Sequence, residues 1–199
     1  EALMQQAQWQ YNAYRLAVNG NDYNRLMSMW DLYRLALNDI VAREGETSAT
    51  LMRPLQGMLL SQYLIAGYTY DNQSSGSDEN FSAQQSANRF NAYRAQSYDK
   101  GSAVILAMYD IEQKKEQAEG EEQGLAAARA LTMLGDWRLW HEERKEAMEA
   151  YQQAIEELEK RDDAQVQLER FFGTPVALPN LDGVRPLVEV ESPEIGDIL

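Results

Sequence analysis

Residues 128–161 read ARALTMLGDWRLWHEERKEAMEAYQQAIEELEKR, 34 positions without a proline and with one glycine. Apolar and small residues recur at three- and four-residue spacing on both sides of Trp140-His141-Glu142, the period of a helix that buries one face. The spacing predicts two helices, over 121–140 and 143–161, folded back on each other. Leu131, Leu134 and Gly135 mark the first, and Ala147, Tyr151 and Ala154 mark the second. Gly135 and Ala147 are small where two such helices cross closely. Tyr151 is expected to fill the space between one hairpin and the next.

Upstream, turn-forming residues divide the chain into further helices. One is expected from Ala2 to Val18, stopped by Gly20, whose freedom at positive φ suits a helix end. A second, capped by Asp22, carries Leu26, Met29, Trp30, Tyr33, Leu37 and Ile40 as one apolar stripe and ends near Gly45. A third is capped by Thr47 or Ser48 and runs to about Tyr70, with Pro54 tolerable in its first turns. The run DNQSSGSDEN over 71–80 is the clearest loop. Beyond it, 81–98 and 102–118 read as a helix pair broken near Gly101, and 163–172 as a last helix. No β-rich run interrupts these segments, so the fold class is all-α, built of antiparallel helix hairpins.

Proline fixes the other boundary. Pro54 stands alone before residue 175, whereas Pro175, Pro179, Pro186 and Pro193 crowd the last 25 residues. Residues 1–172 therefore form the helical domain, and 173–199 an extended Pro-containing tail, docked in part through Val176, Leu178, Leu181, Val184 and Leu187.

The offsets in 128–161 resemble the tetratricopeptide repeat. Leu131, Leu134 and Gly135 occupy its first-helix slots, and Ala147, Tyr151 and Ala154 its second-helix slots. Arg138 and Glu159 depart from the pattern, which usually has Tyr and Pro there. Tyr63, Ala66, Gly67 and Tyr70 echo a first helix, and Leu16-Ala17 with Met29, Tyr33 and Ala36 echo a whole unit. Together with Arg170-Phe171-Phe172-Gly173-Thr174-Pro175, the second half is similar to exported tetratricopeptide proteins of Gram-negative bacteria, some of which carry a TonB-like carboxy-terminal domain. The resemblance implies hairpins stacked as an α-α superhelix in a periplasmic or secreted module. No TonB-like domain is visible before Leu199, so energy transduction is not carried over.

Composition excludes much chemistry. The 199 residues include no Cys and one His, which rules out thiolate zinc sites, disulfides, thiol nucleophiles and His clusters. The net charge is −14, and it is uneven: residues 1–100 hold 10 acidic and 8 basic groups, residues 101–199 hold 22 and 10. Nucleic acid, which needs clustered Lys and Arg, is disfavoured as a partner. No apolar stretch approaches the ~20 residues of a membrane helix.

Catalytic candidates fare poorly. His141-Glu142-Glu143-Arg144-Lys145 begins like H-E-x-x-H but has Lys145 where the second imidazole belongs. His141 is expected to be exposed at the turn of the hairpin. Carboxylate pairs such as Glu142/Glu146 and Glu156/Glu159 would suit a glycan hydrolase, but so acidic a chain produces such pairs by chance. No glycine-rich phosphate loop occurs, and no cofactor is expected.

The aromatic residues Trp9, Tyr14, Trp30 and Tyr33 are the candidate partner-binding side chains, because Tyr and Trp give large contact area at low entropic cost. The reading is of a chain that is not an enzyme. It is expected to be a scaffold or protein-binding module of the cell envelope, whose repeat groove receives a protein or peptide, a basic one matching the acidic half. The alternatives are a structural unit of an envelope complex or of a TonB-like transducer and, further off, a carboxylate-based glycan hydrolase.

Overall fold

The structure, a computed structural model, describes residues 1–16, 22–46, 48–73, 81–119 and 124–173. Among the described residues seven α-helices follow in order: α1 (Ala2–Arg15), α2 (Asp22–Glu44), α3 (Met52–Gln73), α4 (Phe81–Glu119), α5 (Leu125–Trp140), α6 (Arg144–Glu159) and α7 (Ala164–Phe172). A 3-10 turn, Ala49–Leu51, leads into α3. No strand occurs among the described residues, and the protein is all-α.

Each helix packs against the helices before and after it in the chain. Helix α1 buries Met4, Ala7 and Tyr11, and α2 answers with Leu26, Met29, Trp30, Tyr33 and Ala36. The main core continues through Leu55, Met58, Leu59 and Ala66 of α3 and Val104, Ile105, Met108 and Ile111 of α4 to Trp137 of α5. A smaller cluster of Ala128, Leu158 and Phe171 seats α7 on the last hairpin. Burying side chains of this size stabilises by ~1.5–3 kcal/mol each.

Three helix interfaces share one device. The ring of Tyr33 in α2 lies on Gly57 of α3, that of Trp137 in α5 on Gly101 of α4, and that of Tyr151 in α6 on Gly135 of α5. A β-carbon at any of these glycines would fall within 3.0 Å of ring atoms. Absence of a side chain is thus what lets the aromatic ring reach the neighbouring backbone.

Tyr151 packs on Gly135 of α5, and its phenol also acts on that of Tyr63 in α3. The geometry corrects two expectations. Helix α4 is one continuous rod of 39 residues, with no break between 98 and 102. Gly101 sits in mid-helix because Trp137 occupies the space its side chain would take, which outweighs the ~1 kcal/mol lost in helix propensity. Helix α3 runs on to Gln73, through the start of the loop expected over 71–80, because three further residues keep its ladder.

Of the two expected caps, Ser48 serves the 3-10 turn that leads into α3, whereas Asp22 is the first residue of α2 itself. Ser48 accepts from the Thr50 N–H at 3.3 Å, and its hydroxyl and that of Thr50 both donate to Glu44, at 2.8 and 2.6 Å. Helix α5 begins at Gly124, which has φ 114° and no side chain to offer. Its cap comes from another helix: the Glu116 carboxylate of α4 accepts from the Ala126 N–H at 2.5 Å. Gly20, Thr47, residues 74–80 and the tail from Thr174 onward lie outside the described residues.

Candidate interaction surface

The four aromatic candidates separate into two kinds. Trp30 and Tyr33 are buried in the main core, so they hold α2 to its neighbours and offer no surface to a partner. Their place follows from the stripe they share with Leu26 and Met29. Trp9 is 62% exposed on α1, with the Arg25 guanidinium over its ring at 5.9 Å, and Tyr14 is half-buried. The candidate groove is therefore reduced to the two residues on α1.

A second aromatic group, outside the four candidate side chains, joins α3, α4 and α5. Tyr63 of α3 stands edge-on to Trp137, with ring centroids 4.7 Å apart, and to Trp140, at 5.6 Å. Each indole anchors itself on a backbone carbonyl of another helix: Trp137 Nε1 donates to Tyr98 at 3.1 Å, and Trp140 Nε1 to Tyr63 at 3.2 Å. Trp140 also rests on Gly67, whose β position lies 3.4 Å from its ring. Trp137 is fully buried, whereas Trp140 remains 48% exposed beside Leu139 at 50%. The result is an apolar end of α5, held rigidly from below and open above. The α3 signature Tyr63, Ala66 and Gly67 was the one hint of it in the sequence.

His141 completes this group and corrects its expected exposure. It is half-buried, with Trp137 at 4.4 Å and Tyr98 at 5.2 Å between ring centroids, both edge-on. Burial first, and then the charge of Arg94, pull its pKa down to about 4, so the ring is neutral at pH 7. Burial likewise raises the Tyr63 phenol, helped by the Asp136 charge. The Tyr98 phenol is raised by burial and by its bond with Glu143. Tyr151 donates to Asp136 Oδ1 at 2.5 Å, and its phenol is raised by burial and by that bond. These are packing consequences: each ring is dry on one side and polar at its tip.

The repeat-defining positions fall as their sizes require. Gly135, Ala147 and Ala154 are buried, Leu131, Leu134 and Tyr151 partly so. Arg138, where the repeat pattern has Tyr, donates across the hairpin to the Glu146 carbonyl at 3.1 Å.

The carboxylates of Glu142, Glu146, Glu156 and Glu159 are all exposed. No group of three or more His, Asp or Glu among the described residues is placed to hold a metal ion. Two cavities, of about 320 and 250 Å3, open on either side of Glu116. The larger is bordered by Glu157 and Lys160, already paired at 2.6 Å, and the smaller by Glu112 and Arg129, paired at 3.4 Å. Among the described residues no helix is long and apolar enough to cross a membrane.

Comparison with protein-family models, with curated proteins and with solved structures finds no match.

Proposed function

We propose that the chain is a non-enzymatic protein-binding module, in which the hairpins α1/α2, α3/α4 and α5/α6 stack as a tetratricopeptide-like α-α superhelix. The reading is supported above all by Trp140, an indole fixed by Tyr63 and Gly67 of α3 yet 48% exposed, with exposed Leu139 beside it. A rigid, half-open aromatic anchor is the kind of residue that dominates protein interfaces, because little entropy is lost when it is covered. The recurrence of the ring-on-glycine contact at three helix interfaces supports a repeating architecture. The partner is a protein or peptide, and the acidic second half favours a basic one. The sequence resemblance supports the periplasm as its place.

A photo-reactive amino acid at position 139 or 140, with position 166 as control, tests the proposal in cells of the source. The same adduct from both test positions, and none from the control, is the expected result. No reproducible adduct, or equal adducts from all three positions, would sink it.

A second reading, a spacer or assembly unit of an envelope complex, is favoured by α4, whose 39 residues make a rod of ~58 Å.

A further inference from the structure

Helix α1 carries two stripes. The inner one, Met4, Ala7 and Tyr11, is buried against the core. On the opposite side Ala2, Gln5, Trp9, Asn12 and Leu16 follow one another at spacings of three, four, three and four residues. All five are exposed, Trp9 at 62% and Leu16 at 75%. That alternation is the spacing of a coiled-coil seam. A seam of this kind is redundant on a helix that already buries its other face.

The charge of this surface points to its occupant. No Asp or Glu lies between Ala2 and Arg15, whereas each of the other six helices contains at least one. In a chain of net charge −14, two copies repel wherever acidic surfaces meet, and α1 is the helix at which that repulsion is absent.

The chemistry of the seam also suits pairing with itself. A carboxamide both donates and accepts hydrogen bonds, so it is complementary to another carboxamide. In an antiparallel pairing, a two-fold axis near Trp9 sets position 2 opposite position 16 and brings position 5 within one residue's rise of position 12. Gln5 then meets the partner's Asn12, and the small Ala2 makes room for the partner's Leu16. Trp9 meets its own copy at the axis. Arg15, the one charged residue within α1, comes toward the partner's Glu1.

We propose that α1 is a self-association surface, and that two copies of the chain pair through antiparallel α1 helices along the Ala2-Gln5-Trp9-Asn12-Leu16 seam. Trp9 belongs to this contact, and the exposed end of α5 stays free for another partner.

Because the chain has no cysteine, disulfide trapping gives a clean test. The double variant Gln5→Cys/Asn12→Cys is expected to oxidise to a covalent dimer, since residues seven apart on one helix are separated by ~10.5 Å and cannot bridge each other. Met148→Cys, equally exposed but on α6, is expected to stay monomeric. Sedimentation of the native chain is expected to show a dimer fraction that rises with salt, because screening relieves repulsion between two acidic bodies. Trp9→Glu and, separately, Gln5→Glu/Asn12→Glu set like charges across the seam and are expected to weaken association at least ~10-fold, with circular dichroism unchanged. A native chain that sediments as a monomer at every concentration and salt overturns the proposal. So does a dimer whose association constant neither set of Glu substitutions alters.

Discussion

The indole of Trp137 lies across Gly101, its ring atoms standing where a β-carbon of that residue would be, and its Nε1–H reaches the Tyr98 carbonyl about one turn earlier on the same helix. Gly101→Ala is therefore expected to destabilise by ~1–3 kcal/mol through overpacking, in spite of alanine's advantage in a helix. Gly67→Ala is the comparison, because the nearest atom there is Trp140 Cζ2 at an ordinary 3.4 Å. It should be neutral or stabilising by up to ~1 kcal/mol. Urea midpoints of the two variants decide, and equal losses would refute the close-approach argument.

Tyr151→Phe keeps the ring on Gly135 and removes the hydrogen bond to Asp136. A loss of ~1 kcal/mol is expected. Tyr151→Leu also gives up the ring contact and should cost ~1–3 kcal/mol more. If the two substitutions cost the same, ring packing contributes nothing to the hairpin.

His141 is neutral in the fold, with a pKa of about 4 against 6.5 for the free side chain. The unfolded chain thus binds the extra proton first. The stabilising contribution is complete above pH 6.5, is lost as pH falls toward 4, and stays constant below. Discounted for the solvent-facing side of the ring, the loss is ~1–2 kcal/mol. Falling pH also discharges the acidic surface, which acts in the opposite direction, so the quantity to measure is the difference between native chain and His141→Gln. That difference is expected to shrink between pH 7 and pH 4.5. A constant difference would mean that His141 titrates normally.

Glu116 is 8% exposed and caps α5 from α4. Glu116→Ala frees the Ala126 N–H and enlarges the space between two existing cavities, at an expected cost of ~1–2 kcal/mol. Glu116→Gln keeps an acceptor and should lose less. Hydrogen exchange at Ala126 reads the cap directly, and unchanged protection in Glu116→Ala would exclude it.

The helices of the last hairpin were legible because small and aromatic residues recur there at helical spacing, and α5 and α6 match the expected spans over the described residues apart from Gly124, which precedes α5, and a few residues at the ends of α6. The break expected at Gly101 failed for a physical reason: a glycine in mid-helix reads as a local stop, whereas the residue that explains it, Trp137, is 36 positions away. Burial of Trp30 and Tyr33 could have been read from their own stripe, since residues on one apolar face share one fate. Half-burial of His141 and the seating of Trp140 on α3 are tertiary facts. Local spacing carries no trace of the first, and of the second only the α3 signature of Tyr63, Ala66 and Gly67.

Helix α4 is nearly twice the length of α3, which it packs against, and it also packs against α5. Arrays of short hairpins melt unit by unit, because each contact joins only neighbours. Here one rod packs along its own hairpin partner, α3, and against α5, the first helix of the next hairpin. Opening either end of it removes support from the other, so α3 through α5 share a single melting transition, and fraying from the α7 side halts at α5 or takes the centre of the molecule with it.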